Sequence, residues 1–234
     1  MTNRLQTGFI ELDNEIEGLK NKQLIWIERK RCNRENAITL LLNILSNAIF
    51  KQNKSAAFFC SAITTQEIIK NLLHINAGVS EKELFVTDFD PEEFSAKWKK
   101  FTDSAELINH ADLHLYSANK LNSEKILETA LEIRKKGKLD LLIIENSDFL
   151  PIKTEICSEL KEVAESLDIP IIATSRYIQT ADATDADIAI TFEDLAAFSK
   201  KANYVDLNIN ITKNINSKLG KIILSAWKCE VNLK

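Results

Sequence analysis

Leu24-Ile25-Trp26-Ile27, the charged segment from Glu28 through Arg29-Lys30-Arg31-Cys32-Asn33-Arg34-Glu35-Asn36, and Ala37-Ile38-Thr39-Leu40-Leu41-Leu42-Asn43-Ile44-Leu45 together decide the fold. Four consecutive apolar side chains have the length of a buried strand, and the apolar-rich run that continues to Phe50 has the length of a helix. A strand, a loop and a long helix make the first half of a repeating unit that builds a parallel sheet. Downstream the pattern recurs. Ala56-Ala57-Phe58-Phe59-Cys60 reads as a second strand. Thr64, with Glu67 three residues on, marks the start of a helix from Thr65 through His74. Leu113-His114-Leu115-Tyr116 follows as a third strand, and Ser123 is expected to cap a helix through Lys136. Leu139 to Ile144 has the composition of a strand covered on both faces. A helix near Thr154 to Leu167, a strand Ile169 to Thr174 and another Ile188 to Phe192 complete the alternation. The tail changes period. Val205 to Thr212 alternates apolar and polar residues, and Lys221 to Trp227 is a second extended run. The pair is expected to form an antiparallel hairpin at one sheet edge.

Composition narrows the class. At 234 residues, 45% apolar and 27% charged, the chain fits one α/β domain without a linker or low-complexity tract. The N-terminus lacks a signal-peptide core, and no apolar run reaches the ~18 residues of a spanning helix, so a cytoplasmic protein without a membrane contact is expected. Cys32, Cys60, Cys157 and Cys229 lack CxxC spacing, which argues against a zinc site or a disulfide framework. A formal net charge of −4 argues against nucleic-acid binding through a broad basic surface.

Thr7-Gly8-Phe9-Ile10-Glu11-Leu12-Asp13, Gly18-Leu19 and the strand Gln23 to Ile27 resemble the opening of the RecA-like ATPase core of DnaB-type replicative helicases, with RadA and KaiC proteins as related families. The resemblance continues in order through Phe58-Phe59-Cys60-Ser61, Leu141 to Glu145, Ile169 to Ser175, Asp185-Ala186-Asp187-Ile188, Thr212-Lys213-Asn214 and Leu219-Gly220-Lys221. It implies a RecA-like P-loop NTPase fold over residues 1–234: one domain, a mostly parallel central sheet flanked by helices, and the terminal hairpin. The family's N-terminal collar domain is expected to be absent.

The same resemblance locates the chemistry. A phosphate loop of the pattern G-x-x-x-x-G-K-[ST] cradles phosphates in backbone N–H groups, with Lys on the β/γ-phosphates and a hydroxyl on Mg²⁺. Here the matching glycine is Arg34, the lysine is Glu35 and the hydroxyl residue is Asn36, and no glycine lies between Gly18 and Gly78. A carboxylate replaces a cation. Two unit charges ~4 Å apart interact by roughly 4 kcal/mol at an effective dielectric near 20, and at Glu35 the sign is reversed. The family's catalytic glutamate matches Ala62, its metal-holding aspartate Glu145, and its nucleotide-sensing glutamine Arg176. Its trans-acting lysine matches Lys213, and its arginine finger falls at Ile215. Loss of an arginine finger alone costs about 10³–10⁵ in rate.

No catalytic residue or metal ligand is therefore assigned, and no cofactor is expected. The degenerate phosphate-loop positions Arg29, Lys30, Arg31, Arg34, Glu35 and Asn36, with Glu145 and Lys213, are the candidate binding positions. The segments matching the family's DNA loops, Asn146 to Lys153 and Arg176 to Thr184, are short, so DNA binding is expected to be weak or absent. The expectation is a non-catalytic pseudo-ATPase that works through protein assembly, with itself or a RecA-like helicase paralogue in a ring or partial ring, in a replication or recombination setting. The competing reading keeps ATP and Mg²⁺, as an ATP-dependent DNA helicase core or a sensor using the basic loop from Arg29 to Arg34. His74, His110 and His114 lack metal-ligand spacing, and Phe85, Phe89, Phe94, Trp98 and Phe101 are expected to pack the core of an acidic insertion rather than stack on bases.

Overall fold

The computed structural model describes residues 4–29, 34–61, 63–84, 90–118, 122–145, 154–176, 204–213 and 227–233. In chain order the elements are α1 (Ile10–Ile16), β1 (Leu24–Arg29), α2 (Arg34–Ser46, continued by a π-helical turn Asn47–Lys51), β2 (Ala56–Cys60), α3 (Thr65–Ala77), α4 (Glu81–Leu84), α5 (Pro91–His110), β3 (Leu113–Ser117), α6 (Ser123–Lys136), β4 (Leu141–Glu145), α7 (Thr154–Leu167), β5 (Ile171–Arg176), β6 (Leu207–Lys213) and β7 (Trp227–Leu233). Among the described residues the strands form one sheet of seven, ordered β3-β2-β4-β5-β1-β6-β7. Every neighbouring pair is parallel except β6 and β7, the antiparallel hairpin expected at the edge.

Alternation along each strand explains the layers. Ile25 and Ile27 of β1, Phe58 of β2 and Ile143 of β4 join α2 and α3 in one apolar core, whereas Leu24, Trp26, Phe59 and Ile144 join α6 and α7 in the other. A strand buried on both faces reads as an unbroken apolar run because its period-2 pattern has no polar side to show.

Local chemistry sets the ends. Thr64 and Glu67 form a complete capping box at α3: the Thr64 side chain accepts from the Glu67 N–H, and the Glu67 carboxylate accepts from the Thr64 N–H. At α6 the cap is Asn122, whose side chain accepts from the Lys125 N–H, not Ser123. Ser123 instead donates its hydroxyl to Glu159 on α7. β4 starts at Leu141 because Ser55, ahead of β2, holds the approach: its carbonyl accepts from Asp140 N and its hydroxyl donates to Lys138 O. β5 starts after Pro170, which has no N–H for the ladder but offers its carbonyl to Leu142 N at 3.2 Å. Asp206 ties the hairpin down; its carboxylate accepts from Leu24 N at 2.8 Å and pairs with Lys161 of α7 at 2.6 Å.

Two further expectations are corrected. The second hairpin strand is Trp227–Leu233, paired from Lys213↔Trp227 to Leu207↔Leu233. The expected run Lys221 to Trp227 ends where this strand begins, and residues 221–226 lie outside the described residues, as does Ile188 to Phe192. The acidic insertion contains a 20-residue helix, α5, opened by the Asp90 side chain accepting from Glu92 N and by Pro91. Its aromatic residues do not form a closed core. Phe94, Trp98 and Phe101 stack along one side of α5 with centroids 6.1 and 6.0 Å apart, and Trp98 stays 49% exposed. The spacing i, i+4, i+7 aligns the rings on one helix face, and α3 reaches that face with the His74 ring tilted on Phe101. Phe85 and Phe89 lie outside the described residues.

Candidate functional site

Parallel strands end at one edge of the sheet, and ligands of open α/β folds bind outside those carboxyl ends. Arg29, Cys60, Glu145, Arg176 and Lys213 are the last residues of β1, β2, β4, β5 and β6, so the fold brings them to that edge from five separate parts of the chain. Arg34, Glu35 and Asn36 open α2, the helix that follows β1 and starts at the same edge. Lys30, Arg31, Ala62 and Ile215 lie outside the described residues. Both segments matching the family's DNA loops do too, apart from Arg176.

The sheet changes character at its last layer. Residues in register across parallel strands point to the same face. Leu115, Phe58, Ile143, Ile172 and Ile25 make one such row, entirely apolar, beneath α2 and α3. Two residues further on, the row on that face is Ser117, Cys60, Glu145, Thr174 and Ile27. A carboxylate, two hydroxyls and a thiol replace hydrocarbon at the edge where α2 begins.

Burial makes this row electrostatically consequential. Glu145 is 1% exposed and Thr174 is fully buried, with the Thr174 Oγ1 having no hydrogen-bond partner among the described residues. Burial pushes the Cys60 thiol above its ordinary range. A hydrogen bond with Ser117 acts against that shift, and the charge of Glu145 adds to it. Cys60 Sγ lies 3.1 Å from Ile63 O, and Ser117 Oγ donates to the same carbonyl at 3.1 Å. The row is therefore a polar layer held against the end of β2 by the turn into α3.

Sequence reasoning reached Glu145 and missed Cys60, Ser117 and Thr174 as its neighbours. Nothing in the sequence ties positions 60, 117, 145 and 174 together; strand order and register do. The histidines stand apart from this edge. His74 Nδ1 lies 2.8 Å from Val79 O with its ring tilted on Phe101, and His114 Nε2 lies 3.0 Å from Asp112 at the start of β3. Among the described residues no group of three His, Cys, Asp or Glu side chains could hold a metal ion, and no helix is long and apolar enough to cross a membrane.

Strand order, a parallel sheet between two helical layers, and a buried acidic residue at the strand ends facing the helix after β1 define a RecA-like domain of the P-loop NTPase fold. The chain belongs to the DnaB-like helicase C terminal domain family, whose model matches residues 4–187. It is similar to the replicative DNA helicase DnaB of Geobacillus stearothermophilus, 21% identical over 189 residues that make up 76% of this chain and 40% of that one. A solved structure of an isolated ATPase domain superposes with a TM-score of 0.72 at 16% identity, covering 94% of this chain and 80% of the other. A DnaB-like replicative helicase, whose structure was described together with its interactions with primase, superposes with a TM-score of 0.74 at 16% identity over 99% of this chain and 57% of its own. The chain spans about half the length of the curated relatives it matches.

Proposed function

We propose that this domain is a non-catalytic member of the DnaB-like family: a cytoplasmic pseudo-ATPase that acts by assembling with itself or with a RecA-like helicase paralogue in a replication or recombination setting. The observation that carries the reading is the residue set at the start of α2. Where the family's phosphate loop places Gly, Lys and a hydroxyl residue, this chain has Arg34, Glu35 and Asn36. Glu35 offers a negative charge to a phosphate, and Asn36 offers an amide where Mg²⁺ is otherwise held through a hydroxyl. That donor set does not fit MgATP, so no hydrolytic step is derived through it. The assembly faces of the fold can persist without the chemistry, since function resides in sites placed on folds and not in the fold itself.

A second reading rests on the buried carboxylate. Glu145 remains at the end of β4, and the unpartnered Thr174 hydroxyl lies in register beside it. A nucleotide sensor or an ATP-dependent DNA helicase core would use such a row, with Arg29 to Arg34 supplying cations in place of the missing lysine.

Thermal unfolding with and without millimolar MgATP, against a matched salt control, separates the two. A ligand at ~100 times its dissociation constant stabilises a fold by about 2.7 kcal/mol, a shift of several degrees at this size. The pseudo-ATPase reading expects an unchanged midpoint. A clear upward shift would overturn it in favour of a nucleotide-holding site, and phosphate release would then tell sensor from enzyme.

A further inference from the structure

At the end of α2 furthest from the strand-end site lies a cavity of about 250 Å³. It is lined by Thr7, Asn43, Ser46, Asn47, Lys51 and Asn76 among others. Its walls are the C-terminal turns of α2 and of α3, closed by the N-terminal segment. Gly8 permits that closure: its φ is +89°, and a Cβ there would meet the Asn47 side chain at 2.6 Å.

The three asparagines are oriented by partners that leave no choice of amide rotamer. Asn43 Nδ2 donates to Thr39 O at 2.7 Å and Asn47 Nδ2 to Gln6 O at 2.9 Å; both partners are carbonyls and can only accept. Asn76 Nδ2 donates to Ser104 Oγ at 3.1 Å, and that hydroxyl has already given its proton to Leu73 O. Each amide nitrogen gives one of its two hydrogens to these partners, and among the described residues none of the three Oδ1 atoms has a partner. The lining thus offers three amide oxygens as acceptors, beside the second N–H of each amide.

The field has the same sign. Two helix C-termini meet here, each carrying partial negative charge. Behind the wall the Asp13 carboxylate accepts from Thr7 N, Thr7 Oγ1 and Gly8 N at 2.7, 2.8 and 2.9 Å. Lys51 is the cation among the lining residues; it is exposed, at the end of the π-helical turn, with no ion pair among the described residues. π-helical turns recur at functional sites, and this one contributes Asn47 and Lys51 to the same cavity.

We propose that this cavity is a receptor for a guanidinium-type cation, held by amide carbonyl oxygens at the negative ends of two helices. The group is carried either by a free small molecule or by an arginine side chain of a polypeptide. The site is independent of the nucleotide question, because it lies at the opposite end of α2.

The test is a titration of the full chain followed by the side-chain amide resonances of Asn43, Asn47 and Asn76, with three probes: methylguanidinium, the capped peptide Gly-Gly-Arg-Gly-Gly and its Glu analogue. Both cationic probes should shift these resonances and the Glu peptide should not. Equal affinity for the two cations assigns a small-molecule site, and tighter binding of the peptide assigns a polypeptide. Asn43→Leu, which keeps the side-chain shape and removes an acceptor, should weaken binding by about tenfold, the change expected for one hydrogen bond to a charged group. Lys51→Ala, at an exposed position, should tighten cation binding a few-fold by removing a like charge. Binding of the Glu peptide that is lost in Lys51→Ala would overturn the proposal, as would silence of all three amides toward both cations. If Asn43→Leu fails to fold, the direction of the Lys51→Ala effect decides the matter alone.

Discussion

The thiol of Cys60 can ionise only inside a row that contains the buried Glu145, and burial already disfavours the thiolate. A group whose native pKa lies above its unfolded value binds its proton more tightly in the native state. Stability from this residue is therefore fully present below the unfolded pKa, about 8.5, and is lost as pH rises through the higher native value. Urea unfolding of the wild type between pH 8 and 10 should show an alkaline decline that is shallower in Cys60→Ala. Parallel declines in the two proteins would show that Cys60 does not contribute. Glu145 was legible as a single residue through the resemblance. Its environment was not, because Ser117, Cys60 and Thr174 become neighbours only when three strand pairings align them.

Elements differ in how far short-range signals define them. The α3 start is written in four residues, and Thr64→Ala should cost about 1 kcal/mol in chemical denaturation by leaving the Glu67 N–H without its acceptor. The neighbouring helix is a harder case. α5 has a cap at Asp90 and Pro91, signals of the same kind as those at α3, yet its aromatic residues invite a core reading. Exposure settles the question, and stability measurements check it: Phe58→Ala, fully buried in the sheet, should cost about 3–5 kcal/mol, while Trp98→Ala should cost under about 1 kcal/mol. Similar losses at the two positions would restore the core reading of the α5 aromatics. β7 departs from the expected run although its own signal is local. Trp227, Cys229, Val231 and Leu233 alternate with Lys228, Glu230 and Asn232, a period-2 signal as clear as that of its partner β6.

The family's model matches residues 4–187, and the proposed reading has the phosphate-loop positions Arg34, Glu35 and Asn36 depart from its chemistry. In that reading the losses are spread over several elements and cannot be repaired at one of them. On the proposed reading, Arg34→Gly, Glu35→Lys and Asn36→Thr together should leave ATP hydrolysis undetectable, because the resemblance matches the family's catalytic carboxylate to Ala62 and its finger to Ile215. A phosphate-release assay on the triple variant checks this, and turnover that depends on addition of an arginine at position 215 would show that the remaining machinery is intact. Assembly is the complementary readout. Sedimentation of the chain alone and mixed with a DnaB-type helicase is expected to show a species larger than the monomer in at least one case; monomers throughout would remove the basis of the proposed role.

By itself the sequence determined the alternation of strands and helices, the parallel sheet and the presence of a terminal hairpin. Each of these depends on residues close together in the chain: apolar runs, caps, and the spacing of one loop. The tertiary structure alone decided the order β3-β2-β4-β5-β1-β6-β7, the polar row at the strand ends, the exposure of Trp98 and the amide-lined cavity between the ends of α2 and α3. These arise from register and packing between segments tens of residues apart. Local propensity carries no record of such pairings, which exist only once burial of the two apolar faces has selected one arrangement of the sheet.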